Sequence, residues 1–182
     1  MQLSPSQRGV IGAFLLLSFG LLDAAQAQDV KAGDLVISQA WARATPASAK
    51  VGGGYLTIEN KGTAPDKLTG GSTDAAAKLE VHQMSMDNGV MKMHPVDGGL
   101  TIAPGKTVTL APGGYHLMMT DIKHPFKQGG KVPVTLEFEK AGKVSISLDV
   151  QGIGARAPHA AGGAGHMDMK TMPAQGHTGG KM

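Results

Sequence analysis

Between residues 34 and 151, apolar and polar positions alternate over short runs separated by turn residues. LVISQAWARA (35–44), GGYLTIEN (53–60), AKLEVHQM (77–84), GVMKMHPV (89–96), KTVTLAP (106–112), YHLMMTDI (115–122), VPVTLEFE (132–139) and KVSISLDV (143–150) each alternate or run apolar, with many β-branched residues. A side-chain period of two sends one set inward and the other outward, so each run reads as a strand. Asn60-Lys61-Gly62, Asp87-Asn88-Gly89, Pro104-Gly105, Pro112-Gly113-Gly114, Gln128-Gly129-Gly130 and Ala141-Gly142 punctuate them, and such residues supply turn conformations. No ten-residue segment has a helical period. Strands of this length and spacing, without βα alternation, predict an all-β domain: an antiparallel sandwich or barrel of about 120 residues.

The flanks obey different rules. Arg8 precedes an almost continuously apolar run, VIGAFLLLSFGLL (10–22), and Ala25-Gln26-Ala27 follows. A small positive start, a short apolar stretch and an A-x-A end are the marks of a Sec-type signal peptide. The run falls short of the roughly 20 residues needed to span a bilayer. Residues 1–27 are therefore expected to be removed, leaving a chain that starts at Gln28, exported to the periplasm with no stable membrane insertion. At the other end, residues 154–182 are rich in Gly, Ala and Pro and contain no Val, Ile, Leu, Phe, Tyr or Trp. Such a segment cannot bury enough apolar surface to offset its conformational entropy and is expected to be a disordered tail. The folded domain is thus expected to run from 28 to 153.

Composition excludes more than it selects. Lys and Arg number 17 against 14 Asp and Glu, a formal charge of +3 with no basic run, so no stripe awaits a nucleic-acid backbone. The chain has no cysteine. Disulfides, thiolate zinc sites, CxxC redox chemistry, cysteine nucleophiles and blue-copper centres go with it. What stands out is 11 Met and 7 His, and above all where they fall. After Met1 neither residue occurs before His82; six Met and four His then lie between His82 and His124, and the others lie in the tail. Methionine used as core filler would be spread among the strands.

Taking Asn88-Gly89 as a two-residue hairpin loop pairs Asp87 with Val90, Met86 with Met91, Met84 with Met93 and His82 with Pro95. The period of two puts His82, Met84 and Met86 on one face, with Met91 and Met93 on that same face of the partner strand and His82 diagonal to Met93. In Tyr115-His116-Leu117-Met118, His116 and Met118 share a face, opposite Leu117 and Met119. A thioether is neutral, soft and polarisable, and together with imidazole it suits Cu(I) far better than Mg²⁺, Ca²⁺ or zinc. Neither side chain forms disulfides, so such a site persists in an oxidising compartment.

The stretch EVHQMSMDNGVMKM (80–93), followed by PGGYHLM (112–118), closely resembles the PCu(A)C family of periplasmic copper chaperones, whose motif is His, ten residues, Met, 21 residues, then His-x-Met. Here His82 and Met93 are separated by ten residues and Met93 and His116 by 22, one more than the pattern; the extra residue is expected in the 95–99 loop, leaving the ligand strands in register. The likeness covers about residues 34–150. It implies a cupredoxin-like, Greek-key β-sandwich that binds Cu(I) through His82, Met93, His116 and Met118, with Met84, Met86 and Met91 as neighbours or alternative ligands during transfer. It also implies delivery to the copper centres of cytochrome c oxidase, with a copper-accepting oxidase subunit and a Sco-type thiol protein as partners. In some members a His/Met tail is associated with additional copper; here His159, His166, Met167, Met169, Met172 and His177 would hold Cu(II) or a second Cu(I). His94 is expected at the surface, His124 in a loop, and Trp41 and Tyr55 in the core.

Other classes fit less well. A histidine-brace oxidative enzyme needs His at the mature N-terminus, where Gln28 is expected. The glycine run at 52–54 leads into a strand and not into a helix, so it is no phosphate loop, and no nucleophile–base spacing is visible. The chain reads as a binding protein and not as an enzyme. A periplasmic copper buffer serving tolerance is the alternative within that class. A plain adhesion or scaffold sandwich accounts for the fold but not for the clustered methionines.

Overall fold

The computed structural model describes residues 29–158, so the expected signal peptide and the His/Met-bearing tail segment lie outside the described residues. Eleven strands and no helix make up what is described: β1 (Val30–Ala32), β2 (Leu35–Arg43), β3 (Val51–Asn60), β4 (Asp66–Ser72), β5 (Ala76–Asp87), β6 (Val90–Pro95), β7 (Leu100–Ile102), β8 (Thr107–Leu110), β9 (Tyr115–Ile122), β10 (Lys131–Phe138) and β11 (Gly142–Gln151). No helix among them is long and apolar enough to cross a membrane.

Strands β2, β11, β10, β4, β5, β9 and β3 follow one another in hydrogen-bonded order, and β3 returns to β2, closing the sheet. Closure removes the two longest open edges. The neighbours are antiparallel except β11 and β2, which run parallel with Asp149 opposite Trp41, a departure from the purely antiparallel expectation. Inside, Leu35, Ile37, Leu56, Ile58, Leu68, Leu117, Met119, Leu136 and Leu148 are almost wholly buried. They come from alternate positions of facing strands, as the period of two requires.

Two local features bear on the functional face. Gln39 has a positive φ of 52°, and the β2–β3 register shifts between Ser38 and Trp41. This bulge swaps the faces of the strand. Strict alternation from Leu35 and Ile37 would turn Trp41 inward; instead Ala42 points in, and Trp41 stacks on Tyr55 outside, ring centroids 4.4 Å apart. Trp41 and Tyr55 are buried, but in a separate cluster with Ala155 and not in the main core. Arg43 lies over the Tyr55 ring, 5.7 Å from its centroid, and donates from Nε and Nη2 to the Ala155 carbonyl at 3.1 and 2.7 Å. Ala155, two residues beyond residue 153, therefore packs on the barrel.

The second feature is the glycine run. It lies within β3 and serves close packing: a Cβ on Gly54 would come within 2.9 Å of Leu148 Cδ1, and one on Gly53 within 2.8 Å of Tyr55 Oη. Gly53 is opposite Met118 in the ladder, and the missing side chain leaves room there for the Tyr55 ring on the outer face.

Candidate metal centre

Strands β5 and β9 run antiparallel with His82 opposite His116, Glu80 opposite Met118 and Val81 opposite Leu117. Residues opposite one another share a face. Val81, Leu117 and Met119 fill the barrel; His82, His116, Met118 and Glu80 are turned outward. On its other flank β5 pairs with β6. Asn88 and Gly89, with φ of 50° and 79°, form the type I′ turn that matches strand twist. The turn fixes the register Asp87–Val90, Met86–Met91, Met84–Met93 and His82–Pro95, the pairing expected from the sequence. One outer face thus carries His82, Met84, Met86, Met91, Met93, His116 and Met118.

His116 shows how the centre is set. It is 8% exposed, and its Nδ1 lies 3.1 Å from the Gly114 carbonyl, so Nδ1–H donates to that oxygen. This fixes the tautomer and leaves a lone pair on Nε2, the orientation by which second partners hold metal-ligating histidines. Nε2 faces the Met93 sulfur at 3.3 Å. Two Lewis bases meet there with no proton to share. Taking about 2.0 Å for a nitrogen and about 2.3 Å for a sulfur ligand of a tetrahedral d¹⁰ ion, a 3.3 Å edge subtends roughly 100° at the ion, close to tetrahedral. Burial holds the His116 imidazole below its usual pKa, the Gly114 hydrogen bond opposes this, and neighbouring His82 adds to the lowering.

His82 is the second base. Its ring centroid is 6.0 Å from that of His116, with the planes tilted by 51°. Both of its ring nitrogens are buried and have no hydrogen-bond partner, the only such side-chain nitrogens or oxygens among the described residues. The Glu80 carboxylate approaches Nε2 to 3.6 Å, beyond hydrogen-bond reach. Glu80 is engaged instead by Lys78 at 2.8 Å, whose hydrogen bond is the main reason its pKa is lowered. Other buried polar groups are satisfied: Asn60 donates to the Ala64 and Ile102 carbonyls, and Asp66 accepts from the amides of Lys67, Lys140 and Ala141. An orphaned buried polar group costs about 1–3 kcal/mol, a cost that coordination of a cation would remove. Among the described residues no three His, Cys, Asp or Glu side chains cluster. Any metal held here must therefore accept thioethers, and the donor set fits a soft ion.

Met118 lies half-buried on this face, two residues beyond His116. Met84 is partly covered, while Met86, Met91 and Met93 are exposed. His94 pairs with Gln83, which puts it on the reverse of the hairpin, where its Nε2 lies 3.4 Å from Ser85 Oγ. His124 is exposed outside any strand. His159, His166, Met167, Met169, Met172 and His177 lie outside the described residues. Sequence reasoning missed the Gly114 carbonyl that orients His116 and the carboxylate of Glu80. Strand parity with His82 could have found Glu80; the carbonyl lies in a turn that no side-chain pattern reports.

Comparison with known proteins places the family and the fold. Residues 35–150 match the family model described as "Putative lipoprotein LpqE-like". "Putative lipoprotein Lxx21020" of Leifsonia xyli subsp. xyli is 30% identical over 127 residues, covering 70% of this chain and 75% of the relative. Among solved structures, the copper-bound PCuAC domain from PmoF2 is 27% identical with a TM-score of 0.60, covering 69% of this chain and 98% of that domain. The Cu(I) form of DR1885 from Deinococcus radiodurans is 29% identical with a TM-score of 0.50, covering 71% and 85%. The all-β, cupredoxin-like fold is shared with them.

Proposed function

The chain belongs to the LpqE-like, PCu(A)C-related family, and on that premise we propose that it is a non-catalytic periplasmic copper chaperone. It binds Cu(I) through His82, Met93, His116 and Met118 and delivers it to the copper centres of cytochrome c oxidase. The observation that carries this reading is the pair of facing bases, His116 Nε2 and Met93 Sδ at 3.3 Å, beside the unpartnered His82 ring. The copper named in the PmoF2 and DR1885 structures supports the same ion. Neutral ligands suit a carrier. Each thioether can be replaced in turn by a donor of the recipient, so the ion is never free and no proton or electron need move. The partners on this reading are the copper-accepting oxidase subunit and a Sco-type thiol protein. A signal peptide at 1–27 accounts for export, and the absence of cysteine leaves this sequence no thiol on which to carry a lipid.

The test mixes the Cu(I)-loaded chain with the apo copper domain of an oxidase and follows both partners by NMR. Copper is expected to pass to the oxidase domain. Loss of copper only to a small-molecule chelator, with the oxidase domain left empty, would assign the chain to buffering instead.

The His/Met segment enters the same scheme as a feeder. His159, His166, Met167, Met169, Met172 and His177 offer imidazoles for Cu(II) and thioethers for Cu(I), and a short tether raises local ligand concentration into the millimolar range. Ending the chain after Pro158, which removes every His and Met of the tail and spares the buried Ala155, is expected to lower copper stoichiometry and slow uptake from Cu(II), with Cu(I) affinity at His82 and its partners kept. Equal stoichiometry in both oxidation states would make the tail a solubilising appendage.

A further inference from the structure

The four core donors leave three thioethers of the same face unused. The Asp87–Val90 pair closes the type I′ turn as a hydrogen-bonded pair, so the next pair, Met86–Met91, is non-hydrogen-bonded, and Met84–Met93 repeats it two residues on. In such pairs the Cα atoms stand only about 4.5 Å apart and the side chains lie closest. Met84 is diagonal to Met91, still within reach of long side chains. Packing does not account for these residues. Met119 is wholly buried in the core, whereas Met86 is 66% and Met91 54% exposed, and neither belongs to the core cluster or packs against it.

The hairpin also sorts its chemistry by face. Ser85, Asp87, Lys92 and His94 lie on the reverse, where Lys92 pairs with Asp87 and Ser85 meets His94. The methionine face carries no charge between Met84 and Met91. Neutral sulfur without anionic oxygen disfavours Zn²⁺, Ca²⁺ and Mg²⁺ and leaves Cu(I) as the ion such a face can hold.

We propose that Met84, Met86 and Met91 form a second, outer Cu(I) site at the hairpin tip, distinct from the inner His82/Met93/His116/Met118 centre. All three donors are thioethers, so it binds more weakly than the inner set with its two imidazoles. Strand geometry spaces the rows at 82, 84 and 86 by about 6.5–7 Å, and the Met84–Met93 row belongs to both sites. Copper can therefore step along the face with one Cu–S bond formed for each one broken. It stays Cu(I) throughout, and no proton or electron is exchanged. The exposed tip is then the end at which a partner loads or unloads the ion. This rests on the inner site taking Cu(I), and the experiment reads the two sites separately.

The full chain, labelled with ¹³C at the methionine methyls, is titrated with Cu(I) under reducing, anaerobic conditions. The first equivalent should shift Met93 and Met118; later equivalents should shift Met84, Met86 and Met91. In Met86→Leu/Met91→Leu, which keeps the apolar surface and leaves the core untouched, those later shifts and one equivalent of copper should be lost, while first-equivalent affinity and the backbone amide spectrum stay as they were. Later equivalents that move only Met167, Met169 or Met172 would overturn the outer site. So would a double variant with full copper stoichiometry, including one that instead loses binding to a protein partner, which would make the face a docking surface. Failure of the first equivalent to shift Met93 and Met118 would refute the inner assignment, read independently of the outer methyls.

Discussion

Met118→Ala is expected to weaken Cu(I) binding by about a hundredfold or more, roughly 2.8 kcal/mol at 1.4 kcal/mol per tenfold, and to leave the barrel folded. The neighbouring residue makes the prediction sharp. Met119 is wholly buried, opposite Leu79 and Gly52 in the ladders on either side; its truncation should cost about 2–5 kcal/mol of stability while removing no donor. Met118 points the other way, opposite Glu80 and Gly53, so its truncation empties a coordination position and opens no cavity in the core. Two adjacent methionines should therefore separate binding from stability. Met93→Ala should behave like Met118→Ala, because its sulfur is the one facing His116 Nε2 and its side chain is 48% exposed. Competition with a chromogenic Cu(I) chelator measures the affinity and thermal unfolding measures the fold. Unchanged affinity in both Met93→Ala and Met118→Ala would remove these residues from the centre.

The site was more legible than the barrel that carries it, for a physical reason. Its ribbon is local: Asn88-Gly89 dictates a turn type, the turn dictates register, and register dictates which methionines share a face. Likewise His116 and Met118 need only the two-residue period. The missing strands depend on partners far along the chain. Strand β4, Asp66–Ser72, contains Gly70 and Gly71 and no β-branched run, and it exists because β10 lies against it, with the Thr135 carbonyl 2.5 Å from where a Gly71 Cβ would stand. Strands β1 and β7 have three residues each, too few for alternation to register. The parallel β2–β11 seam is a closure condition of the whole sheet. The bulge at Gln39 likewise has no strong local signature, since glutamine is not a residue that favours positive φ; it moves Trp41 from the main core into the separate buried cluster with Tyr55 and Ala155. The orienting Gly114 carbonyl is backbone, and side-chain patterning does not report it.

Under reducing conditions at neutral pH the chain is expected to retain Cu(I) in preference to Zn²⁺ by roughly two orders of magnitude or more. Half of the inner donors are uncharged thioethers, whereas zinc is held by imidazole, carboxylate or thiolate, and this chain has no thiolate to give. Glu80, the nearest carboxylate, is already held by Lys78. Acid should then act on the imidazole half alone. Coordination needs the neutral ring, so affinity is full above the pKa of the free His116 and falls as pH drops through it. Burial holds that pKa below the ordinary value of about 6.5, which extends the neutral form toward lower pH. Copper should accordingly be retained further into the acid range than an imidazole of ordinary pKa would allow. Equilibrium dialysis against mixed Cu(I) and Zn²⁺, repeated across a pH series with metal analysis, reads both effects. Equal retention of the two metals at neutral pH would show that the thioethers do not bind. Cu(I) retention that stays flat through the acid range would instead mean that sulfur alone holds the ion and that the buried rings of His82 and His116 are bystanders.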